Sequence, residues 1–296
     1  MSEGRDNLPS ASGLVSDCSV RDALGFGHGL GLDRLDSFVL LGHVLGRSRA
    51  WLIAHDDSSL TAGELQGWRD VAARRACGEP VAYIVGCKEF RGLRLRVSPA
   101  VLVPRPETEL LVDLAIDAID AVLRSRGRVR VVDLGTGSGA IALACKSARP
   151  GAEVCASDAS AAALEVARTN AVDLGLDIEM RLGSWWEPWK AERFDLALCN
   201  PPYVAAGDSH LAALRQEPGL ALVGGKTGLV ALQEVARKAG GHLVPGGRLW
   251  FEHGFDQAGA VTGMLAAGGF AAITTRPDLA GQPRCTGGVF APQSGA

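Results

Sequence analysis

The spacing of apolar residues changes along the chain from a helical period to the period of strands. Over residues 19–77 the spacing is helical, and Thr61 followed three residues later by Glu64 predicts a capping box at the start of a helix. In residues 93–97 leucine and valine alternate with arginine, which is typical of a strand, and residues 101–103 are predicted to be its return strand. The pattern therefore predicts a small α-helical domain followed by a β-hairpin linker.

From residue 128 onward, short apolar runs alternate with helical segments, which is typical of a parallel sheet covered by helices on both faces. The predicted strands cover residues 129–133, 153–158, 178–182, 194–199, 248–253, 270–275 and 285–291. The predicted helices are one that begins at Glu107 and those over residues 140–148, 161–174 and 228–239. Because the last two strands are close in sequence, we expect a hairpin at one edge of the sheet. The expected fold class is α/β, with a seven-stranded Rossmann-like sheet.

These patterns divide the chain into four parts. Residues 1–18 are rich in serine, glycine and aspartate and lack periodicity, so we expect a disordered leader. Residues 19–79 form the N-terminal helical domain and residues 80–106 hold the hairpin linker. Residues 107–296 form the sheet domain, in which the last four residues are expected to be frayed.

Composition and charge narrow the range of functions. Hydrophobic residues make up 47% of the 296 residues, which is enough for a sizeable core. Lys and Arg total 30 against 33 for Asp and Glu, so we expect no direct binding of nucleic acid through its phosphates. No apolar run has the length of a membrane span or the form of a signal peptide, so we expect no membrane partner.

The seven cysteines are scattered, have no Cys-x-x-Cys spacing and form no cluster with the six histidines. A disulfide framework and a metal site are therefore both unexpected, and a reducing compartment is favoured. We expect a cytoplasmic protein that is a monomer and holds no metal.

A glycine-rich turn follows the first predicted strand of the sheet and precedes a helix. It consists of Gly135, Thr136, Gly137, Ser138 and Gly139. Glycines let the backbone turn tightly and approach a ligand, and the N–H groups at a helix start favour a negative group. Asp158, about twenty residues further on, can accept hydrogen bonds from ribose hydroxyls. The alternative for Asp158 is a helix cap, for which Ser160 is the nearer residue. The turn predicts a nucleoside-bearing cofactor.

Two further residues favour S-adenosylmethionine over a nicotinamide dinucleotide. Asp133 precedes the turn by two residues, at a position where a carboxylate suits an ammonium or sulfonium charge. Trp185 follows the third predicted strand of the sheet, where its flat side chain can cover an adenine ring. The alternative for Trp185, with Trp186 and Trp189 beside it, is packing within the loop.

A stiff corner follows the apolar run of residues 194–199. It consists of Asn200, Pro201, Pro202 and Tyr203. Two successive prolines remove two N–H donors and fix two φ angles, and the first biases Asn200 toward an extended conformation. The nearby carbonyl groups therefore have few local donors. We predict that the Asn200 amide oxygen and the Pro201 carbonyl accept the two hydrogens of a planar –NH₂ group, on which the Tyr203 ring packs.

Four motifs together identify a family. They are Pro-Val-Ala-Tyr-Ile over residues 80–84, Glu-Phe over 89–90, Val-Pro-Arg-Pro-Glu-Thr-Glu over 103–109 and Asn-Pro-Pro-Tyr over 200–203. With these motifs, and in its order of helical domain, hairpin and sheet, the chain resembles the release factor glutamine methyltransferases of the HemK/PrmC type. The Asn-Pro-Pro-Tyr motif is shared with amino-group methyltransferases generally, and the other three motifs resemble this family in particular. The resemblance covers roughly residues 20–291.

The resemblance implies a class I methyltransferase fold and a defined reaction. A methyl group would pass from S-adenosylmethionine to the side-chain nitrogen N5 of the glutamine in the Gly-Gly-Gln motif of peptide chain release factors. Residues 135–139, Asp158, Trp185 and Asn200 would contact the cofactor, and residues 200–203 would hold the glutamine. The alternative is an N6-adenine methyltransferase acting on DNA or RNA, which presents the same planar –NH₂ group but would need a basic groove.

Four other residues near these motifs carry simpler expectations. Cys199 is predicted to be a core residue of its strand. Glu252 and His253 end a predicted strand, and a structural role is favoured for both. Arg105 would either face the substrate or pair with an acid, and the sequence leaves both open.

Overall fold

The computed structural model of the chain describes residues 17–291. Over this range the chain divides into two compact units, the first ending at Gly86 and the second beginning at Cys87. The predicted leader lies outside the described residues except for its last two positions, and so do the last four residues of the chain. No helix in the described range combines the length and the apolar character needed to traverse a bilayer.

The described part of the first unit is helical, as the spacing of its apolar residues predicts. Its helices are α1 (Val20–Gly29), α2 (Arg34–Leu45), α3 (Arg49–Ala54), α4 (Ala62–Ala76) and α5 (Val81–Val85). The predicted capping box of Thr61 and Glu64 is confirmed at the start of α4. The core surrounds Trp68, which is fully buried and donates its indole N–H to the Ala23 carbonyl at 3.0 Å.

The second unit begins with an antiparallel hairpin of β1 (Cys87–Phe90) and β2 (Leu93–Arg96). The strand predicted from residue 93 is confirmed, but the prediction of a return strand at residues 101–103 is wrong. The chain turns before β2 instead, at Arg91 and Gly92, which have φ angles of 50° and 77°. Val103 donates its N–H to a carboxylate rather than to a strand.

The rest of the second unit alternates helices with the strands of one sheet. These elements are α6 (Glu109–Arg126), β3 (Arg130–Leu134), α7 (Ala140–Ala148), β4 (Glu153–Asp158), α8 (Ala161–Leu174), β5 (Glu179–Leu182), β6 (Phe194–Cys199), α9 (Gly219–Leu222), α10 (Val230–Lys238), β7 (Leu243–Glu252), α11 (Ala258–Ala267), β8 (Phe270–Pro277) and β9 (Pro283–Phe290). The strand order is β5-β4-β3-β6-β7-β9-β8. The strands from β5 to β7 are parallel, and the antiparallel pair β8 and β9 forms the predicted edge hairpin. The α/β class is confirmed.

The largest error in the predicted strand bounds is at the start of β7. β7 begins at Leu243 rather than at residue 248, although Pro245, Gly246 and Gly247 have the composition of a turn. The pairing of β6 with β7 shifts register between Phe194 and Leu196, so the extra residues form an irregularity within the strand. A strand can absorb such residues when its neighbours hold it on both sides.

Apolar side chains cover both faces of the sheet. One buried cluster joins β3 to helices α6 and α7, and a second joins β6 and β7 to α10 and α11. β4 and β5 lie on one side of β3, whereas β6 and β7 lie on the other. The strand order therefore changes direction between β3 and β6. In sheets of this kind, ligands bind outside the carboxyl ends of the strands, next to the position where the direction changes.

Candidate active site

A cavity of about 290 Å³ lies at the carboxyl ends of β3, β4 and β6. The predicted site residues that line it are Gly135, Thr136, Gly137, Ser138, Asp158, Trp185, Asn200 and Pro202. Among the described residues, Gly139, Pro201 and Tyr203 are predicted site residues that do not line it. The structure thus brings four residues of the glycine-rich turn to one cavity with Asn200 and Pro202 of the Asn-Pro-Pro-Tyr corner, because β3 and β6 are neighbours in the sheet.

The glycine-rich turn needs glycine for its backbone conformation. Gly135, Gly137 and Gly139 have φ angles of 78°, 56° and 84°, which side chains of L-residues disfavour. The Gly135 N–H donates to the Ser157 carbonyl at 2.8 Å, which ties the turn to the end of β4. A Cβ atom on Gly135 would lie 3.0 Å from the Trp185 ring. Other residues would therefore be strained at all three positions, and at Gly135 a side chain would also be crowded by Trp185.

The Asp158 carboxylate holds the turn as well as facing the cavity. Its Oδ2 accepts the Gly137 N–H and its Oδ1 accepts the Ser160 N–H, each at 2.8 Å. Ser160 is the N-cap of α8 and accepts the Ala163 N–H. Each carboxylate oxygen accepts more than one hydrogen bond, so Asp158 can still bind a hydroxyl from the cavity. Its contact with a ribose stays a prediction.

Asp133 is buried behind the turn. It is fully shielded from solvent, and its Oδ2 accepts the Thr136 hydroxyl at 2.6 Å. Burial raises the pKa of the Asp133 carboxyl to about 7. The Oδ1 atom has no hydrogen-bond partner in the described part of the chain. Asp133 therefore carries a free buried acceptor next to the turn, and its contact with a cofactor charge stays a prediction.

The three tryptophans after β5 have different surroundings. Trp185 lines the cavity and has a φ of 50°, and its carbonyl accepts the Ser157 hydroxyl at 3.1 Å. Trp186 is buried and donates its indole N–H to the Val235 carbonyl at 3.0 Å. Trp189 is fully buried in the same apolar cluster. Packing thus accounts for Trp186 and Trp189, whereas Trp185 presents a flat surface to the cavity.

The Asn200 side chain has a defined orientation. Its Nδ2 donates to the Thr108 hydroxyl oxygen at 3.2 Å. Within residues 17–291 no hydrogen-bond donor contacts the Asn200 Oδ1 or the carbonyl oxygens of Pro201 and Pro202. Cys199, the residue before the corner, is fully buried, as expected of a core strand residue. The corner therefore presents hydrogen-bond acceptors without partners.

A second glycine-rich loop, residues 222–228, packs on the back of the corner. A Cβ atom on Gly224 would lie 2.3 Å from the Pro202 carbonyl oxygen, and one on Gly228 would lie 2.2 Å from the Tyr203 carbonyl oxygen. The Tyr203 carbonyl also accepts the Gln257 side-chain N–H at 3.0 Å. The reasoning from sequence missed this loop, although its run of glycines is a signal for close backbone contact.

Of the two roles that the sequence leaves open for Arg105, pairing with an acid is observed, whereas contact with the substrate stays a prediction. Arg105 lines the cavity and forms an ion pair with Glu217, whose side chain is 4% exposed. The Glu217 carboxylate also accepts the Val103 N–H at 3.1 Å. Cavity-lining residues in segments 100–105 and 218–223 are thus held by one acid. No sequence motif signals Glu217, because its partners are more than one hundred residues away.

Asn170 is another residue that the sequence reasoning missed. It is 1% exposed, and its Nδ2 donates to the Ser138 carbonyl at 2.9 Å and to the Arg96 carbonyl at 3.1 Å. Its Oδ1 accepts the Arg96 N–H at 2.6 Å. Asn170 therefore joins the glycine-rich turn to the hairpin. A polar residue in a helix carries no local sign of such long-range contacts.

His253 is a buried structural residue. Its Nδ1 lies 2.8 Å from the Gly254 carbonyl and its Nε2 lies 2.7 Å from the Thr286 hydroxyl oxygen. Because a carbonyl only accepts, Nδ1 carries the proton and Nε2 accepts from Thr286. Burial lowers the pKa of His253, so the ring is neutral. This arrangement fits the structural role expected from the sequence.

The cavity has the chemical groups that S-adenosylmethionine requires. The position of a Cβ atom on Gly137 has no atom within 4 Å, so the turn leaves space for a ligand against its backbone. The Asp158 carboxylate suits ribose hydroxyls and Trp185 suits an adenine ring. Asp133 does not line the cavity, although its Oδ1 lies without a hydrogen-bond partner behind the turn. No group of three metal-ligating side chains occurs within the described range.

Comparisons with known proteins give the family. A model described as "PrmC N-terminal domain" matches residues 27–86, and one described as "Methyltransferase small domain" matches residues 110–216. The release factor glutamine methyltransferase of Bordetella pertussis is 49% identical over 263 residues, which cover 88% of this chain and 96% of that protein. The chain belongs to the release factor glutamine methyltransferase family. The family resemblance of the four sequence motifs is thereby confirmed.

Other relatives agree with this family. The release factor glutamine methyltransferase of Burkholderia pseudomallei is 46% identical over 87% of this chain and 92% of its own length. Among solved structures, a methyltransferase from Pyrococcus furiosus matches with a TM-score of 0.52 and 19% identity, over 75% of this chain and 98% of that one. At this identity the structural match supports the class I methyltransferase fold alone.

Proposed function

We propose that the protein transfers a methyl group from S-adenosylmethionine to the side-chain nitrogen of the glutamine in the Gly-Gly-Gln motif of peptide chain release factors. The observation that carries the proposal is the orientation of Asn200. Its –NH₂ group is held by Thr108, and its Oδ1 is therefore available as an acceptor at the cavity. A side-chain amide with two N–H groups is the substrate that such an acceptor fits.

The chemistry requires orientation more than acid or base. The lone pair of a carboxamide nitrogen is delocalised into its carbonyl, which makes the nitrogen a weak nucleophile. The Asn200 Oδ1 and the Pro201 carbonyl accept the two amide hydrogens and so point the nitrogen at the methyl group. Alignment of this kind can lower a barrier by about 7–11 kcal/mol. The Tyr203 ring, which does not line the cavity itself, is proposed to pack against the flat amide of the bound glutamine.

Other residues hold the donor. When bound, S-adenosylmethionine supplies a methyl group on an electrophilic sulfonium. Residues 135–139, Asp158 and Trp185 would bind its nucleoside and methionine parts, and Asn200 would lie beside the methyl group. The transfer would exchange one S–C bond of the donor for one N–C bond of the glutamine, and the amide nitrogen would release one proton to solvent.

Methylation of adenine N6 in DNA or RNA is the alternative that presents the same –NH₂ group. The curated relatives are named for release factor glutamine instead. The balance of 30 basic against 33 acidic residues also gives no general attraction to phosphates. We therefore propose that the protein does not bind nucleic acid directly.

The setting of the reaction follows from its substrate. We infer a cytoplasmic protein, since release factors act there, and its seven cysteines are free thiols that suit a reducing compartment. We also infer a monomer, because one chain carries both the cofactor turn and the substrate corner at a single cavity.

Mass spectrometry of a release factor tests the proposal. The purified factor is incubated with the protein and isotope-labelled S-adenosylmethionine, and its peptides are sequenced. We expect one labelled methyl group on the glutamine of the Gly-Gly-Gln motif. A factor with that glutamine replaced by alanine is the matched control and should gain none. Label at another residue, or equal label in the control, would refute the proposed substrate.

A further inference from the structure

A buried carboxyl group lies directly behind the Asn-Pro-Pro-Tyr corner. Cys199 of β6 pairs with Phe251 of β7, so the next residues, Asn200 and Glu252, are level with each other. Glu252 is 1% exposed, and its Oε1 accepts the Tyr203 hydroxyl at 3.3 Å. Glu252 is outside the cavity lining. Glu252 therefore contacts the corner through Tyr203 without lining the cavity.

Thr108 binds Asn200 and is the candidate link between Asn200 and Glu252. Its hydroxyl oxygen accepts the Asn200 Nδ2–H, and the residue is 4% exposed. A hydroxyl that accepts one hydrogen bond still has its own proton to donate. Burial raises the pKa of Glu252 to about 7, and the Thr108 hydroxyl opposes that rise more than Tyr203 does. No hydrogen bond reaches the Glu252 Oε2 within residues 17–291, and the bond from the Thr108 hydroxyl to this oxygen is the part of the link that the proposal supplies.

We propose that Glu252 is a positioning residue that fixes the direction of the Asn200 amide through the Thr108 hydroxyl. The proposal rests on the proposed function, in which the Asn200 Oδ1 accepts a substrate N–H. An ionised carboxylate only accepts hydrogen bonds, so it draws the Thr108 proton toward itself. The Thr108 oxygen then offers Asn200 a lone pair, which selects the –NH₂ end of the amide and leaves Oδ1 for the substrate.

Protonation of Glu252 reverses this selection. A neutral carboxyl can donate to Thr108, whose own proton then points at Asn200. The Thr108 proton then binds the Asn200 Oδ1. The Asn200 amide has rotated by half a turn in this arrangement, and its –NH₂ group points toward the substrate –NH₂ group. Two donors then face each other, and the substrate loses its acceptor. The reaction therefore needs the ionised form of Glu252.

Other charged and titratable groups face Glu252. Arg284 lowers the pKa of Glu252, and Glu107 raises it. Cys285, which pairs with Glu252 across β7 and β9, has a pKa raised by burial and by Glu252. Burial and Glu252 likewise raise the pKa of Tyr203. Because Cys285 and Tyr203 remain neutral near pH 7, Glu252 is the member of this group that changes charge there.

Paired substitutions at Thr108 test the link to Asn200. Thr108→Val keeps the shape but removes the hydroxyl, and Thr108→Ser restores it. At saturating substrates and pH 8, we expect Thr108→Val to lower the single-turnover rate by about ten- to one-hundredfold. Thr108→Ser should recover most of the rate, and both should bind S-adenosylmethionine within about threefold of the parent protein. Thr169→Val, on an exposed face of α8, is the control and should react normally. Equal loss in Thr108→Val and Thr108→Ser would overturn the proposal.

The pH profile tests the role of Glu252. We expect the single-turnover rate of the parent protein to rise with pH, with a midpoint near the Glu252 pKa of about 7. Glu252→Gln mimics the protonated carboxyl, so its rate should be low and should lack this rise. Division of the parent rate by the Glu252→Gln rate at each pH cancels any pH dependence that comes from the release factor. The same rise in Glu252→Gln as in the parent protein would contradict the proposal.

A second measurement separates this inference from the proposed function. A parent protein that binds S-adenosylmethionine but methylates no release factor would refute the function alone. The Thr108–Asn200 link is then judged by a double-mutant cycle of Thr108→Val and Asn200→Ala in urea unfolding at pH 8. We expect non-additivity of about three- to tenfold in the unfolding constant, and its loss in a Glu252→Gln background. Additive effects would overturn the inference.

Discussion

Asn200 shows how a single residue gains a chemical role from both its neighbours and a distant partner. The two prolines after it are visible in the sequence and deprive the corner of donors. Thr108, ninety-two residues earlier, then binds the –NH₂ end of its side chain. The first feature makes the corner stiff, and the second decides which end of the amide is free.

Removal of the Asn200 acceptor should abolish most of the activity. We expect Asn200→Ala to lower single-turnover methyl transfer to a release factor by at least about one-hundredfold, since loss of orientation has this effect. Asn200→Asp should also fail, because its carboxylate changes the charge beside the sulfonium. The exposed amide of Gln216 offers a control, and Gln216→Ala should react normally. A near-normal rate for Asn200→Ala would refute the proposed grip on the glutamine.

Gly135 illustrates a residue with a conformational and a packing constraint. Its φ is 78°, and a Cβ atom there would lie 3.0 Å from the Trp185 ring. We expect Gly135→Ala to weaken the binding of S-adenosylmethionine by about tenfold, which corresponds to strain of about 1–2 kcal/mol. Isothermal titration calorimetry measures this. Gly151→Ala is the control, since a Cβ atom at Gly151 has no neighbour within 4 Å. Equal affinities for the two variants would contradict the packing argument.

At the scale of elements, the cavity depends on two segments that lie outside the sheet and its long helices. Segment 100–105 follows the hairpin and segment 218–223 contains the short helix α9. Both contribute to the lining, and Glu217 holds the first through Val103 and Arg105. Because Glu217 immediately precedes the second segment, one buried carboxylate fixes the two sides of the cavity together.

Neutralisation of Glu217 should therefore destabilise the second unit. We expect Glu217→Gln to lower the free energy of unfolding by about 1–3 kcal/mol, because Arg105 loses its partner in a largely buried place. The Arg105 side chain is 35% exposed, so water offsets part of the loss. Urea denaturation measures the change. Glu165→Gln removes an exposed ion pair with Arg168 and should change stability by less than about 0.5 kcal/mol. A cost no larger than this control would show that the pair is dispensable.

Elements with a clear local pattern are the ones that the sequence located. The bounds of β4, β6, α7 and α8 agree with prediction, because their apolar residues recur with one period between clear breakers. The start of β7 was missed because Pro245 and two glycines have the composition of a turn. The prediction of a strand at residues 101–103 was wrong, because the pattern of apolar residues indicates an extended segment with one buried face. It does not show whether that segment pairs with another strand.

At the scale of the molecule, two buried acids on different strands link stability to pH. Burial raises the pKa of both Asp133 and Glu252 to about 7. In the unfolded chain these carboxyls ionise near their ordinary values of about 4. The folded state therefore binds more protons between about pH 4 and pH 7, and its stability falls as pH rises through this window.

Comparison of unfolding at pH 5 and pH 8 tests this linkage. We expect Glu252→Gln to remove part of the loss of stability between the two values, on the order of 2–3 kcal/mol. Asp133→Asn should act similarly, and the double variant should remove both contributions. Glu165→Gln, at an exposed position, should leave the pH dependence unchanged. The assignment is contradicted if the parent protein loses no more stability between pH 5 and pH 8 than Glu252→Gln loses.

The sequence by itself determined the α/β class, the glycine-rich turn, the Asn-Pro-Pro-Tyr corner and the family. These depend on local periodicity, on backbone restrictions of glycine and proline, and on contiguous motifs, all of which are properties of short stretches of chain. The tertiary structure decided which of these residues share a cavity. It also supplied Thr108, Glu217 and Glu252 as partners, because a hydrogen bond between residues far apart in sequence exists only after the strands have taken their order.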